Sequence, residues 1–100
     1  MKPLIALIAI TLPLCIAPAH ASPELAAKSK CLVCHDVATK KMGPAFKDVS
    51  AKYKGQKDAE AVLVNSMLKG ATGKWGKIPM APQKIAPADA QKLAKWILTL

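Results

Sequence analysis

Five consecutive residues, Cys31-Leu32-Val33-Cys34-His35, restrict this 100-residue chain more than anything else in it. Thiols three positions apart lie about one helical turn from each other, and an imidazole follows the second directly. Three chemistries use such a grouping: zinc ligation, a redox or structural disulfide, and covalent attachment of a haem. Each asks for a different setting, so the rest of the chain decides among them.

The N-terminus bears on this first. Met1-Lys2 is a short positive start, Pro3 to Ile16 is almost wholly apolar, and Ala19-His20-Ala21 places small residues where a signal peptidase reads. The pattern predicts a secretory signal over residues 1–21, too short and wrongly flanked for a spanning helix, with an uncleaved anchor as the alternative. Leu14 before Cys15 does not suit a lipidation site, so Cys15 is expected to leave with the signal, as is His20. Residues 22–100 then form one domain of 79 residues, exported to the periplasm, holding two cysteines and one histidine. No stable membrane insertion is expected after cleavage. A domain this small has a thin core and usually needs a staple.

In that setting zinc is short of its usual four protein ligands. A thioredoxin-like pair expects a βαβ pattern, which is absent, and a simple disulfide leaves the histidine unexplained. Covalent haem attachment accounts for all three groups: each thiol adds to a vinyl group, and the histidine is placed under the iron. One haem c is therefore the expected cofactor.

Charge narrows the partners. The chain carries 15 basic and 6 acidic residues, for a net charge of +9, and every basic residue is lysine. Nucleic-acid readers favour arginine for bidentate contacts, so no nucleic-acid partner is expected. A diffuse lysine field keeps the surface soluble and can steer a carrier toward acidic partners.

Helical patterns separated by Gly and Pro run through residues 22–100, and none has a strand period. Ser22-Pro23-Glu24 reads as a helix start, with a hydroxyl cap, an early proline and an acid at the positive dipole end. Leu25, Lys28, Leu32 and His35 share helical spacing, so this helix is expected to run into the cysteine motif. A second helix is predicted over residues 45–53, with Phe46, Val49 and Tyr53 on one face. A third spans 58–69, capped by Asp58, stopped at Gly70, and facing Val62, Leu63 and Met67 inward. The last begins at Pro87 and runs to Leu98 or Thr99, with Leu93, Trp96, Ile97 and Leu100 on its apolar side. Between them, residues 70–86 form a long loop of the kind that is often functional. The class is all-α, about four helices wrapped around one covalently attached haem.

The sixth iron position decides the use of such a haem. Methionine closing it gives an electron-transfer centre of raised potential; an open position admits gases or peroxide. Met67 falls on a helical stripe and reads as core filler. Met42 lies only seven residues beyond His35. Met80 stands in Ile78-Pro79-Met80-Ala81-Pro82, where prolines stiffen the chain, and is the axial candidate opposite His35.

Together, Cys31 to His35, Met42-Gly43-Pro44-Ala45-Phe46, Gly73-Lys74-Trp75-Gly76-Lys77-Ile78-Pro79-Met80 and Leu93-Ala94-Lys95-Trp96-Ile97-Leu98 resemble the small bacterial cytochrome c-551/c-552 family of class I cytochromes c. The likeness covers nearly all of residues 22–100. It implies thioethers at Cys31 and Cys34, and His35 and Met80 as axial ligands to the iron. It further implies that the Pro44 carbonyl accepts from the proximal imidazole, which fixes ring orientation, and that the Trp75 indole donates toward a haem propionate. Trp96 is expected to be plain core. Gln83 matches a position whose amide can bond the methionine sulfur. Two departures stand out: Ala81 replaces a proline found in several relatives, softening the loop, and Ser66 stands where some relatives carry a propionate-pairing arginine.

The resemblance implies a monomeric, periplasmic, single-electron carrier of the respiratory chain, not an enzyme. Its partners would be transient redox proteins: an oxidase, nitrite reductase or peroxidase, or a cytochrome bc1-type donor. Lys28, Lys30, Lys40, Lys41 and Lys77 are candidates to lie near a docking edge. The alternatives are a haem whose methionine is displaceable, acting as peroxidase or gas sensor, and a zinc- or disulfide-stabilised binding module.

Overall fold

The computed structural model of the chain describes residues 3, 8–13 and 23–100. The expected cleavage site at Ala21, Cys15 and the Ser22 cap lie outside the described residues. Residues 8–13 form no helix or strand, and Ile8, Ile10 and Leu12 are exposed. No helix among the described residues is long and apolar enough to cross a membrane.

Four α-helices follow in chain order: α1 (Pro23–Lys28), α2 (Phe46–Tyr53), α3 (Ala59–Lys69) and α4 (Pro87–Ile97). A single 3-10 turn, Cys31–Val33, stands between α1 and α2. The all-α expectation is met, and the bounds of α2 to α4 fall within two residues of the pattern-based reading. The start of α3 differs from it in mechanism, while α4 begins at Pro87 as expected. Asp58 precedes α3 without any side-chain cap bond, and α4 relies on Pro87 in its first turn, where a missing N–H costs nothing.

One expectation is overturned. The first helix does not run into the cysteine motif: it stops at Lys28, and Lys30 turns left-handed with φ 62° and ψ 18°. Leu25 and Lys28 therefore share a helix that Leu32 and His35 do not. The 3-10 turn that follows closes with His35 N–H donating to Cys31 O at 2.9 Å. Helical spacing survived across the break because a 3-10 turn keeps nearly the same periodicity.

The core forms where α3 and α4 pack, with α2 and α1 resting on α4. Leu93 and Ile97 of α4, Leu63 and Met67 of α3, and Phe46, Val49 and Tyr53 of α2 are buried. Ala26, Ala90 and Ala94 are fully enclosed; such small side chains suit the close approach of α1 to α4. Val62 and Leu100 pack against this cluster from its edge. The helices cover one side of a hollow and leave the 70–86 segment to cover the other.

That segment is less free than its glycines and prolines imply. Ala71 and Met80 form an isolated antiparallel bridge, N–H to O in both directions at 2.9 and 2.8 Å. Gln83 N–H then donates to Met67 O at 2.8 Å, tying the segment to the C-terminal part of α3. Gly70 makes the bridge possible. With φ +83°, it lies where side chains rarely go, and a Cβ there would sit 2.6 Å from Met80 O.

Candidate functional site

A cavity of about 260 Å³ opens between the helices and the 70–86 segment. Cys31, Cys34, His35 and Met80 all line it, so one wall collects residues from the 3-10 turn and its exit while the other holds the bridged methionine. Phe46, Leu63, Met67, Leu93 and Ile97 supply apolar surface inside. This is the lining a large, flat, mostly apolar group needs, with few polar groups to orient it.

The 3-10 turn explains the thiols. It brings Cys31 and Cys34 onto the same wall as half-buried free cysteines. Burial pushes the Cys31 thiol up from its ordinary range; a backbone hydrogen bond opposes that shift, and the nearby Cys34 adds to it.

His35 is held on three sides. Its Nδ1–H donates to Pro44 O at 2.8 Å, the bond the resemblance implied, which leaves Nε2 unencumbered as a ligand atom. Its ring stacks on Phe46, centroids 4.9 Å apart and planes 19° from parallel. Gly43 closes the third side: a Cβ on it would lie 2.5 Å from His35 Cε1 and 2.7 Å from Nδ1. Backbone bonds from Gly43 N–H to Cys34 O and from Phe46 N–H to Asp36 O fasten this loop to the motif. Behind Phe46, Trp96 packs edge-on at 5.7 Å, as the core residue it was expected to be.

Three methionines line the cavity, and their settings differ. Met42 is 58% exposed and adjoins Gly43 on the His35 wall. Met67 is buried within α3. Met80 is half-buried, and the Ala71 bridge fixes its backbone on both sides. Sequence reasoning found the stiffening prolines but missed the bridge, since neither Ala71 nor Met80 belongs to an alternating pattern.

Gln83 departs from expectation. Its side-chain amide donates to Ala81 O at 2.7 Å rather than to the Met80 sulfur. With alanine after the methionine instead of proline, this short local bond closes the turn. Trp75, 37% exposed, stands at the cavity mouth. Ser66 also lines the cavity, from α3. Of the lysines named above, Lys30 lines the cavity, while Lys41 donates to Leu32 O at 3.1 Å. Lys74, not singled out by sequence, lines it too. Met42 and Ile78, both exposed, line the same cavity.

The donor set fits a haem and little else. Among the described residues no group of three or more His, Cys, Asp and Glu could hold a metal ion. A thioether and an imidazole facing one apolar cavity, with two thiols beside the imidazole, suit a macrocycle that brings its own iron and its own equatorial ligands.

Comparisons with known proteins agree. The family model for cytochrome c matches residues 20–100. The chain is 46% identical over 80 residues to cytochrome c-552 of Hydrogenobacter thermophilus, covering 80% of this chain and 82% of that one. It is 49% identical over 78 residues to cytochrome c-551 of Pseudomonas aeruginosa, covering 77% and 75%. The crystal structure of wild-type Nitrosomonas europaea cytochrome c552 superimposes with a TM-score of 0.77 at 48% identity, covering 79% of this chain and 99% of that one.

Proposed function

This chain belongs to the cytochrome c family, among the small c-551/c-552 proteins that carry one covalently attached haem c, and we propose that it is a periplasmic shuttle exchanging single electrons between respiratory partners. The carrying observation is the convergence of Cys31, Cys34, His35 and Met80 on one apolar cavity. In this reading Cys31 and Cys34 would hold the haem through thioethers, and His35 and Met80 would be the side chains that bind its iron. When bound, the haem would supply reversible one-electron chemistry between a donor and an acceptor.

The protein's own residues make that exchange easy. Phe46, Gly43 and the Pro44 carbonyl fix His35, and the accepting carbonyl raises the basicity of the imidazole. The bridge from Ala71 and the Gln83–Met67 bond hold the methionine loop, so a weak thioether bond need not order a free chain. Side chains held this way would move little on gain or loss of an electron, and with Met80 engaged a substrate would find no open place to bind. The protein therefore carries electrons and is not an enzyme. Trp75 is assigned to the propionate edge, where a donor with an apolar body fits.

The exposed apolar edge of Met42 and Ile78, which line the cavity together with Lys30 and Lys74, is assigned to docking. Small, weak interfaces suit rapid exchange. The partners are expected to be redox proteins with acidic surfaces, such as an oxidase, nitrite reductase, peroxidase or bc1-type donor, meeting a monomer.

A redox titration of the purified holoprotein, with spectra recorded throughout, tests the reading. A reversible one-electron wave and a ferric methionine–sulfur charge-transfer band are expected. A missing band, or fast binding of CO or cyanide by the native protein, would overturn it in favour of a peroxidase or gas sensor.

A further inference from the structure

Lys52 has no part in the reading above, yet its side chain is engaged twice. It lies on the exposed side of α2, and its Nζ donates to Lys74 O at 3.0 Å. The same ammonium sits 4.5 Å from the centroid of the Trp75 ring, and 5.6 Å from that of Tyr53. A solvated lysine ordinarily samples many rotamers, and ordering it costs entropy. Here two neighbouring residues of one loop hold it, and both Lys74 and Trp75 line the cavity.

We propose that Lys52 is a positioning residue that holds Trp75 at the cavity mouth and raises the reduction potential of the haem bound there. The proposal rests on the haem reading and goes beyond it. An ammonium over the face of an indole is attracted by the ring quadrupole, which restricts the plane of the ring. The bond to Lys74 O fixes the backbone directly before Trp75 at the same time. Because α2 also carries Phe46 beneath His35, Lys52 ties the element behind one wall of the cavity to the loop forming its mouth.

The charge acts in a definite direction. A cation beside the cavity disfavours the extra positive charge of ferric iron, so the ferrous state gains. Lys30 and Lys74 are the cavity's lysines among the described residues, and Ser66, on the α3 side, is neutral. A third ammonium fixed at the mouth thus adds to a small local set. Because Lys52 is exposed, the effect is partly screened and weakens as salt is added.

The experiment compares the wild-type holoprotein with Lys52→Met, Lys52→Glu and Lys52→Arg by redox titration at low and high salt, with near-ultraviolet circular dichroism of the tryptophans. Lys52→Met is expected to shift the ferric/ferrous equilibrium about threefold toward ferric, about 28 mV at 59 mV per tenfold for one electron. Lys52→Glu should shift it about ninefold, and Lys52→Arg should keep the wild-type potential. High salt should shrink these differences, and Lys52→Met should weaken the tryptophan bands. Wild-type potentials in Lys52→Met and Lys52→Glu at low salt would overturn the proposal, as would unchanged tryptophan bands or a Lys52→Arg shift equal to that of Lys52→Met. These outcomes leave the carrier reading intact, whereas a wild-type protein without haem would overturn both.

Discussion

The His35 imidazole lies nearly parallel to the Phe46 ring, with centroids 4.9 Å apart and planes 19° from coincidence. Phe46 opens α2 and is 4% exposed, so the first residue of a helix is at once core and backing for the His35 ring. Phe46→Ala should therefore cost about 3–5 kcal/mol, the usual range for emptying a buried aromatic site. Phe46→Leu, which keeps most of the volume, should cost less than about 1.5 kcal/mol. Denaturant unfolding of the holoproteins checks both values. A Leu variant as unstable as the Ala variant would show that the ring stack, rather than filled volume, dominates.

Two glycines crowd different parts of the site, Gly43 the His35 ring and Gly70 the Met80 carbonyl, and each should fail in its own way. Gly43→Ala would drive a methyl against the His35 ring, costing roughly 1–3 kcal/mol through overpacking and straining the bond to Pro44. Gly70→Ala meets both a positive φ and the Met80 carbonyl at 2.6 Å. Strain of that kind costs about 1–3 kcal/mol and should open the Ala71–Met80 bridge. The ferric spectrum separates them: Gly70→Ala should weaken the methionine band, and Gly43→Ala should keep it. Equal loss of the band in both variants would contradict this division of roles.

Lys30 is the non-glycine residue with positive φ among the described residues. The left-handed region costs an L-residue about 1–2 kcal/mol, and glycine's greater freedom in the unfolded chain returns roughly 0.5–1 kcal/mol of that. Lys30→Gly should thus stabilise the protein by about 0.5–1 kcal/mol, while Lys30→Ala should change little. Thermal unfolding of both variants distinguishes backbone strain from loss of the lysine, which would move them together.

Ser50 is fully buried on α2, and its Oγ has no hydrogen-bond partner. Burying an unsatisfied hydroxyl costs about 1–3 kcal/mol, and alanine is the better helix former. Ser50→Ala is expected to raise stability by about 1 kcal/mol without moving the reduction potential. A drop in the denaturation midpoint would mean that the hydroxyl is satisfied in solution, for instance by a buried water.

Local chemistry was readable directly from residues 22–100. The cysteine–histidine motif carries the attachment chemistry because its spacing is short enough for the backbone alone to bring the groups together. Helices α2 to α4 were legible because each keeps apolar residues at a 3.6 period, with glycine closing α2 and α3 and Pro87 opening α4. The reading failed where a single residue interrupted a period without a breaker, as Lys30 does after α1.

Tertiary structure decided what depends on contacts between distant residues. The Ala71–Met80 bridge, the turn of Gln83 onto Ala81, and the hold of Lys52 on Lys74 and Trp75 leave no periodic trace. Each is a hydrogen bond or ring contact whose partners are chosen by the path of the chain, not by residue type. The sequence by itself determined which groups could meet a haem. It also singled out Met80 among three methionines through its flanking prolines; only the fold supplied the Ala71 bridge that holds the Met80 backbone, because such a bridge depends on the path of the chain and not on side-chain identity.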